Sequence, residues 1–255
     1  MRAYARVITG CRGRMKGFVE SDRKEFNADA LLTISRACPE LSWLLDRGYP
    51  RDTARDFVGD RYQLTARQRL FMARVVSGKV AASRRATKHK GDAELAGNRI
   101  LVDGFNAIVT LEVALAGGPV VACEDGTVRD LAGMRGTYHP SGCTHEAIRL
   151  LLDFFAESHV QGVDFLIDAP VSNSGRLRSI ILREAESFDG MSVTAELERD
   201  VDASLSASGG VVVTSDSAIL DRCAAWSNAV AEIVDGIGNA WIIEVAPPQE
   251  PAVAL

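Results

Sequence analysis

Residues 98–118 read "NRILVDGFNAIVTLEVALAGG", and the fold turns on how this stretch is read. Three apolar residues, 100–102, lead directly into Asp103, Gly104, Phe105 and Asn106, after which the apolar spacing becomes helical. A short strand apolar on both faces, followed at once by a helix, opens a βα unit of a parallel sheet. Its end is a carboxylate. Burying an uncompensated charge costs several kcal/mol, so Asp103 requires a partner or a cation.

Downstream the alternation continues. Apolar runs at 163–167, 191–195, 211–214, 230–234 and 241–245 read as strands. Helical patterns at 106–116, 144–157, 177–187, 201–207 and 217–226 fall between most of them. Together they predict an α/β fold, a parallel sheet flanked by helices in three layers. The stretch "PVVACEDGTVRDLAG" interrupts the alternation and predicts a hairpin turning at Asp125-Gly126.

Upstream, the chain reads as helices. One pattern in "SDRKEFNADALLTISRA" stops before Pro39; a second runs from Pro39 to Gly48, and a third starts at Pro50. A fourth runs from Thr65 as N-cap to Gly78. The aperiodic, basic "KVAASRRATKHKGDAELAGN" reads as a linker or exposed arm. The division is then a poorly patterned segment 1–20, a helical basic domain 21–80, a basic linker 81–97, the α/β domain 98–247 and a tail 248–255.

Charge follows the same division. Residues 1–98 hold 20 Lys and Arg against 11 Asp and Glu, and the remainder holds 9 against 23. A basic part beside an acidic part suggests a polyanion-binding module joined to a cation-binding one; two ordinary solvated surfaces give the same count. The chain is 47% hydrophobic and 25% charged, which argues against wholesale disorder. No apolar run reaches the roughly 18 residues of a membrane span, and the N-terminus lacks the apolar core of a secretory signal. Five scattered cysteines without a CxxC pair fit reduced thiols and a cytoplasmic location better than a disulfide frame or zinc site. GxGxxG and Walker loops are absent, and no Ser-His-Asp order stands out.

Ligands of open parallel sheets bind at the carboxyl ends of the strands. Asp103 sits at one such end, Asp168 at another in "DFLIDAPVSNSG", and Asp216 just past a third in "GGVVVTSDSAILD". Asp200 and Asp202 open the helix leading into that third strand. Each acid alone reads equally as a turn or helix-cap residue. Four carboxylates in one crevice repel each other and call for a hard cation, Mg2+ or Mn2+. Ser172, Asn173, Ser174 and Gly175 form a polar loop, either an N-cap cluster or a phosphate cradle.

At "LVDGFN", "FLIDAP" and "VDASLSASGGVVVTSDSAIL" the sequence resembles the PIN-like nuclease superfamily over roughly residues 98–245. The segment "LLDRGYPRDTARDFVGDRYQLTARQR" resembles the helical part of a largely archaeal family called domain of unknown function 434. The resemblance implies a metal-dependent ribonuclease with Asp103, Asp168, Asp202 and Asp216 as catalytic metal ligands, and Asn106, Thr214 and Ser215 nearby. Asp202 is preferred to Asp200. Such domains often pair as homodimers. The pattern departs in two places: Glu112 matches the superfamily's mid-domain Glu poorly, and the insert has no counterpart. Its Asp125, Arg129, Asp130 and Arg135 either complete the site or form a salt-bridged surface hairpin.

The expected function is therefore Mg2+- or Mn2+-dependent endoribonuclease activity, with RNA held through Arg67, Arg69, Arg84, Arg85, Lys88 and Lys90. The alternatives are a non-catalytic RNA-binding protein with a structural ion site, and a small-molecule phosphatase.

Overall fold

The computed structural model describes residues 16–133 and 136–246. Helices α1 (Asp22–Glu25), α2 (Ala28–Asp46), α3 (Arg51–Arg61), α4 (Ala66–Val75) and α5 (Lys79–Ala86) precede strand β1 (Arg99–Asp103) and helix α6 (Gly104–Leu115). There follow β2 (Pro119–Ala122), β3 (Val128–Asp130), α7 (Thr144–Glu157), β4 (Gly162–Asp168), α8 (Ser174–Ala185) and β5 (Ser192–Glu198). The chain continues with α9 (Val201–Ala207), β6 (Val211–Val213), α10 (Ser217–Arg222), β7 (Ala225–Trp226), α11 (Ala229–Asp235) and β8 (Trp241–Ile243).

Five parallel strands form one sheet in the order β5-β4-β1-β6-β7. Strand β1 is central, which is why its side chains are apolar on both faces. Ile100 and Val102 join the core containing α6, α7, α8 and α11, whereas Leu101 packs against the opposite cluster of α9 and α10. The helices thus cover both faces, as the apolar strands predict.

Several boundaries differ from the sequence reading. The apolar run 230–234 is helical, part of α11, because a short run buried all round has no period to separate strand from helix. The segment 241–245 supplies β8, which leaves the main sheet and pairs with β2 in a second sheet of order β3-β2-β8. The β2–β3 hairpin is antiparallel and turns through Asp125-Gly126 as expected, with Gly126 at φ +83°. Pro39 does not end a helix but lies inside α2. Ile34, Cys38 and Leu41 on either side of it are buried, and that packing outweighs the hydrogen bond that proline removes.

The helical segment and the second sheet share a core. Phe71, Met72 and Val75 of α4 share one apolar cluster with Val121, Cys123, Leu131 and Ile243 of the second sheet and its flank. The hairpin thereby completes the apolar cluster of the helices. The expected linker is also ordered: it contains α5, and Lys90 N–H donates to the Trp226 carbonyl beside β7. Cys38, Cys123 and Cys223 are free and buried, whereas Cys143 is disulfide-bonded, a departure from uniformly reduced thiols. Among the described residues no helix is long and apolar enough to cross a membrane.

Gly104 is required where α6 leaves β1. A Cβ there would stand 2.9 Å from the Leu166 carbonyl oxygen and 3.1 Å from Ile167 Cγ1, both on β4. Gly104→Ala is expected to destabilise the protein by about 1–3 kcal/mol through overpacking. Urea unfolding checks this, and a variant as stable as the wild type would show that β4 yields at no cost.

Candidate active site

The partners of Asp103 are a hydroxyl and an amide. Val102 pairs with Val213 across β1 and β6, which brings the next residues, Asp103 and Thr214, side by side. Thr214 Oγ1 donates to Asp103 Oδ2 at 2.8 Å, and the Asn106 N–H approaches Asp103 Oδ1 at 3.4 Å, so the carboxylate also caps α6. Burial pushes the Asp103 carboxyl up to about 7 against these two bonds, and Asp168 and Asp216 add repulsion.

The residues that follow Thr214 are fixed in turn. Asn106 Oδ1 accepts from the Ser215 N–H at 2.8 Å and from Ser215 Oγ at 3.0 Å. The Asp216 N–H donates to Thr214 Oγ1, and Asp216 Oδ1 caps α10 by accepting from the Ala218 and Ile219 amides. "DGFN" and "TSD" therefore lock onto each other, and the lock holds Asp103 and Asp216 at neighbouring strand ends. Here α6 departs toward one face of the sheet and α10 toward the other, which opens a crevice between the two connections. Asn106→Ala would strand the buried Ser215 N–H and is expected to cost about 1–3 kcal/mol, measurable by urea unfolding.

Asp168 ends β4, two residues beyond Leu166, the register partner of Asp103. Its pKa is raised by burial and then by Asp202 and Asp200; that of Asp202 is raised by burial and then by Asp216 and Asp200. The four predicted acids are thus near enough to feel one another, and Asp200 belongs to the group, capping α9 through the Ala203 amide. Among the described residues, however, no three His, Cys, Asp or Glu side chains are gathered closely enough to enclose a metal ion. The cause is local: Asp103, Asp200 and Asp216 direct oxygens to helix-start amides. In donor chemistry the set fits a hard divalent cation, being all carboxylate with hydroxyl and amide support.

Other predicted residues fall elsewhere. Asp130 accepts from Thr110 Oγ1 and the Ala132 amide, tying the hairpin to α6, and does not enter the crevice. In the polar loop, Asn173 donates to the Tyr138 carbonyl and Ser174 to the Ala169 carbonyl, while Ser172 is exposed. Asn173, the residue before α8, makes no side-chain cap bond to it. Glu112 is fully buried and bonded by Tyr138, Ser141, Thr144 and Lys16, a closed structural cluster. Arg135 lies outside the described residues.

The basic residues need the largest correction. Arg85 is fully buried between Asp125 and Asp221, and Lys88 donates to the Leu220 and Cys223 carbonyls. Arg67 holds Asp22 and the carbonyls of Gly17 and Leu131, and Arg69 holds Asp60 with two carbonyls. Such long, forked side chains stitch segments together from within, and a count of charges cannot distinguish them from a solvated patch. Arg84 and Lys90 alone of the predicted set keep substantial exposure. Sequence reasoning missed Arg222, which is exposed and acts on Asp202, whereas the expected Asp125–Arg129 pair forms but is buried rather than on the surface.

A family described as "Domain of unknown function (DUF5616)" matches residues 92–232, and one described as "Protein of unknown function (DUF434)" matches residues 33–88. The uncharacterized protein MJ0935 of Methanocaldococcus jannaschii is 31% identical over 211 residues, covering 82% of this chain and 97% of that protein. No solved structure matches.

Proposed function

We propose that this chain, which belongs to the DUF5616 family, is a divalent-metal-dependent ribonuclease with a PIN-like arrangement of carboxylates. The observation that carries the reading is the gathering of Asp103, Asp168, Asp202 and Asp216 at one end of the sheet, coupled by mutual repulsion. Asp103 is the buried member, and like charge around a buried carboxylate is how catalytic metal sites are built.

Asp103 and Asp216 would hold the ion with Asp168 and Asp202, exchanging cap bonds for coordination. Bound there, Mg2+ or Mn2+ supplies Lewis acidity that activates water and stabilises the leaving oxygen of a phosphodiester. Thr214 and Asn106 keep Asp103 and the 214–216 segment in register. Phosphate contact falls to exposed cations, Arg222 beside Asp202 with Arg84 and Lys90, so binding weakens as salt rises.

Incubating the protein with Mn2+ and a mixed RNA pool tests the reading. Cleavage that stops on chelation, and that fails in Asp216→Asn while RNA binding persists, is the expected result. An intact pool overturns it. Stabilisation of the fold by Mn2+ without any cleavage would instead indicate a non-catalytic protein with a structural ion.

A further inference from the structure

Behind the acidic crevice lies a buried charge cluster with no part in the chemistry above. Asp125 Oδ2, at the hairpin turn, accepts from Arg85 of α5 and from Arg129 of β3, each at 2.6 Å. Arg85 also meets Asp221 of α10 at 2.8 Å. Asp125 and both guanidiniums are almost wholly removed from solvent. A buried ion pair adds little net stability over an apolar filling of the same shape, but its planar fork fixes direction.

The direction in question is that of the Ser215 peptide. Arg129 Nε donates to the Ser215 carbonyl at 2.7 Å, and its other nitrogens donate to the Arg74 carbonyl, Asp125 and Ser217 Oγ. Asn106 holds the amide and hydroxyl of the same residue. Ser215 is therefore gripped from both sides, between the residue that bonds Asp103 and the residue that caps α10.

We propose that Arg129 is a positioning residue of the acidic site, fixing the Ser215 peptide so that Thr214 meets Asp103 and Asp216 faces the crevice. Arg85 anchors it through Asp125, so α5 is part of the support of the site rather than a detachable nucleic-acid arm. The catalytic consequence rests on the nuclease reading; the positioning itself does not.

The test compares full-length Arg129→Lys with Ser217→Ala, which disturbs the same cluster but leaves the Ser215 bond in place. Lysine keeps the charge and loses the fork. Amide exchange at Ser215 and Asp216 should quicken at least about tenfold in Arg129→Lys, with β4 amides unchanged, because the opening is local. Affinity for Mn2+ and kcat should fall by a similar, roughly tenfold, factor with KM for RNA unchanged, as expected for lost positioning. Ser217→Ala, which removes one Arg129 contact and keeps the Ser215 bond, should quicken exchange by less than about threefold, and a change as large as that of Arg129→Lys overturns the proposal. Unchanged exchange in a folded Arg129→Lys overturns the proposal. Should that variant not fold, Arg85→Lys is read the same way, with about threefold faster exchange expected from the loosened anchor and no change overturning it. Wild type that leaves RNA intact while the exchange result holds would sink the nuclease reading alone. Cleavage with unaltered exchange would sink the positioning alone.

Discussion

Replacing Asp103 by Asn is expected to abolish Mn2+-dependent RNA cleavage, by roughly three orders of magnitude or more, and at the same time to stabilise the metal-free fold at pH 8. The second effect follows from burial. Asp103 ionises in the folded protein only at about 7, and an ordinary aspartate ionises near 3.8, so the charged form is disfavoured by folding. A raised acid pKa leaves stability intact below the unfolded value, erodes it as pH rises between the two, and leaves it reduced above the folded one. A carboxyl displaced that far carries a penalty of about 4 kcal/mol at pH 8, from which Asn is exempt. For a chain of this size that difference moves Tm by roughly 10 °C. Glu232, also raised to about 7 by burial and by Asp92, contributes the same slope to both proteins, so the difference between their curves isolates Asp103. Melting curves at pH 4, 6 and 8 without metal read the effect. A variant no more stable than wild type at pH 8 would place Asp103 in water rather than in the core.

Asp125 carries the opposite sign and the largest loss. Burial works against its ionisation, but Arg129, Thr127 and Arg85 outweigh it and hold the carboxyl at about 2. Asp125→Ala leaves two buried guanidiniums without their shared counter-ion, and removing one partner of a buried ionic cluster costs about 3–5 kcal/mol. The pH signature distinguishes this from simple cavity formation. A depressed carboxylate contributes stability that is present above its unfolded pKa and lost as pH falls through the folded one, here between about 4 and 2. Wild type should therefore lose more stability in that window than Asp125→Ala, which keeps the losses from Asp164 and Glu184, carboxyls also held below their ordinary values by their partners. Urea unfolding at pH 2.5, 4 and 7 measures both. A loss under about 1 kcal/mol at pH 7 would mean that water reaches the arginines. With respect to these two aspartates, the metal-free protein is most stable near pH 4.

How much of this was legible depends on whether a residue's role is set by its neighbours in sequence. The strand ends were, because Asp103, Asp168 and Asp216 follow short apolar runs and a parallel sheet collects such ends on one side. The hairpin was, because Asp125-Gly126 demands a turn. Pro39 misled, because a local helix breaker was overruled by a stripe of buried residues on both sides of it. The run 230–234 misled because a fully buried helix and a fully buried strand share one pattern. The basic residues misled most. Arg85 finds Asp125 and Asp221 at 40 and 136 residues' distance, and no window of sequence announces such pairing. Among the described residues, Arg67, Arg69, Arg85 and Lys88 spend their charge on internal partners, whereas Arg23, Lys24, Arg36, Arg47, Arg61, Lys79 and Arg84 stay exposed. Spacing put Asp103 and Asp168 at strand ends and Asp216 just past one, but the rotamers of Asp103 and Asp216 as helix caps depend on three-dimensional detail that spacing does not carry.

The most direct measurement is a crystal soaked in Mn2+ and recorded at an energy where manganese scatters anomalously. An anomalous peak in contact with both Asp103 and Asp216, their oxygens turned from the α6 and α10 amides toward it, is the predicted result. An empty crevice at saturating Mn2+, with both carboxylates still capping their helices, would contradict the account.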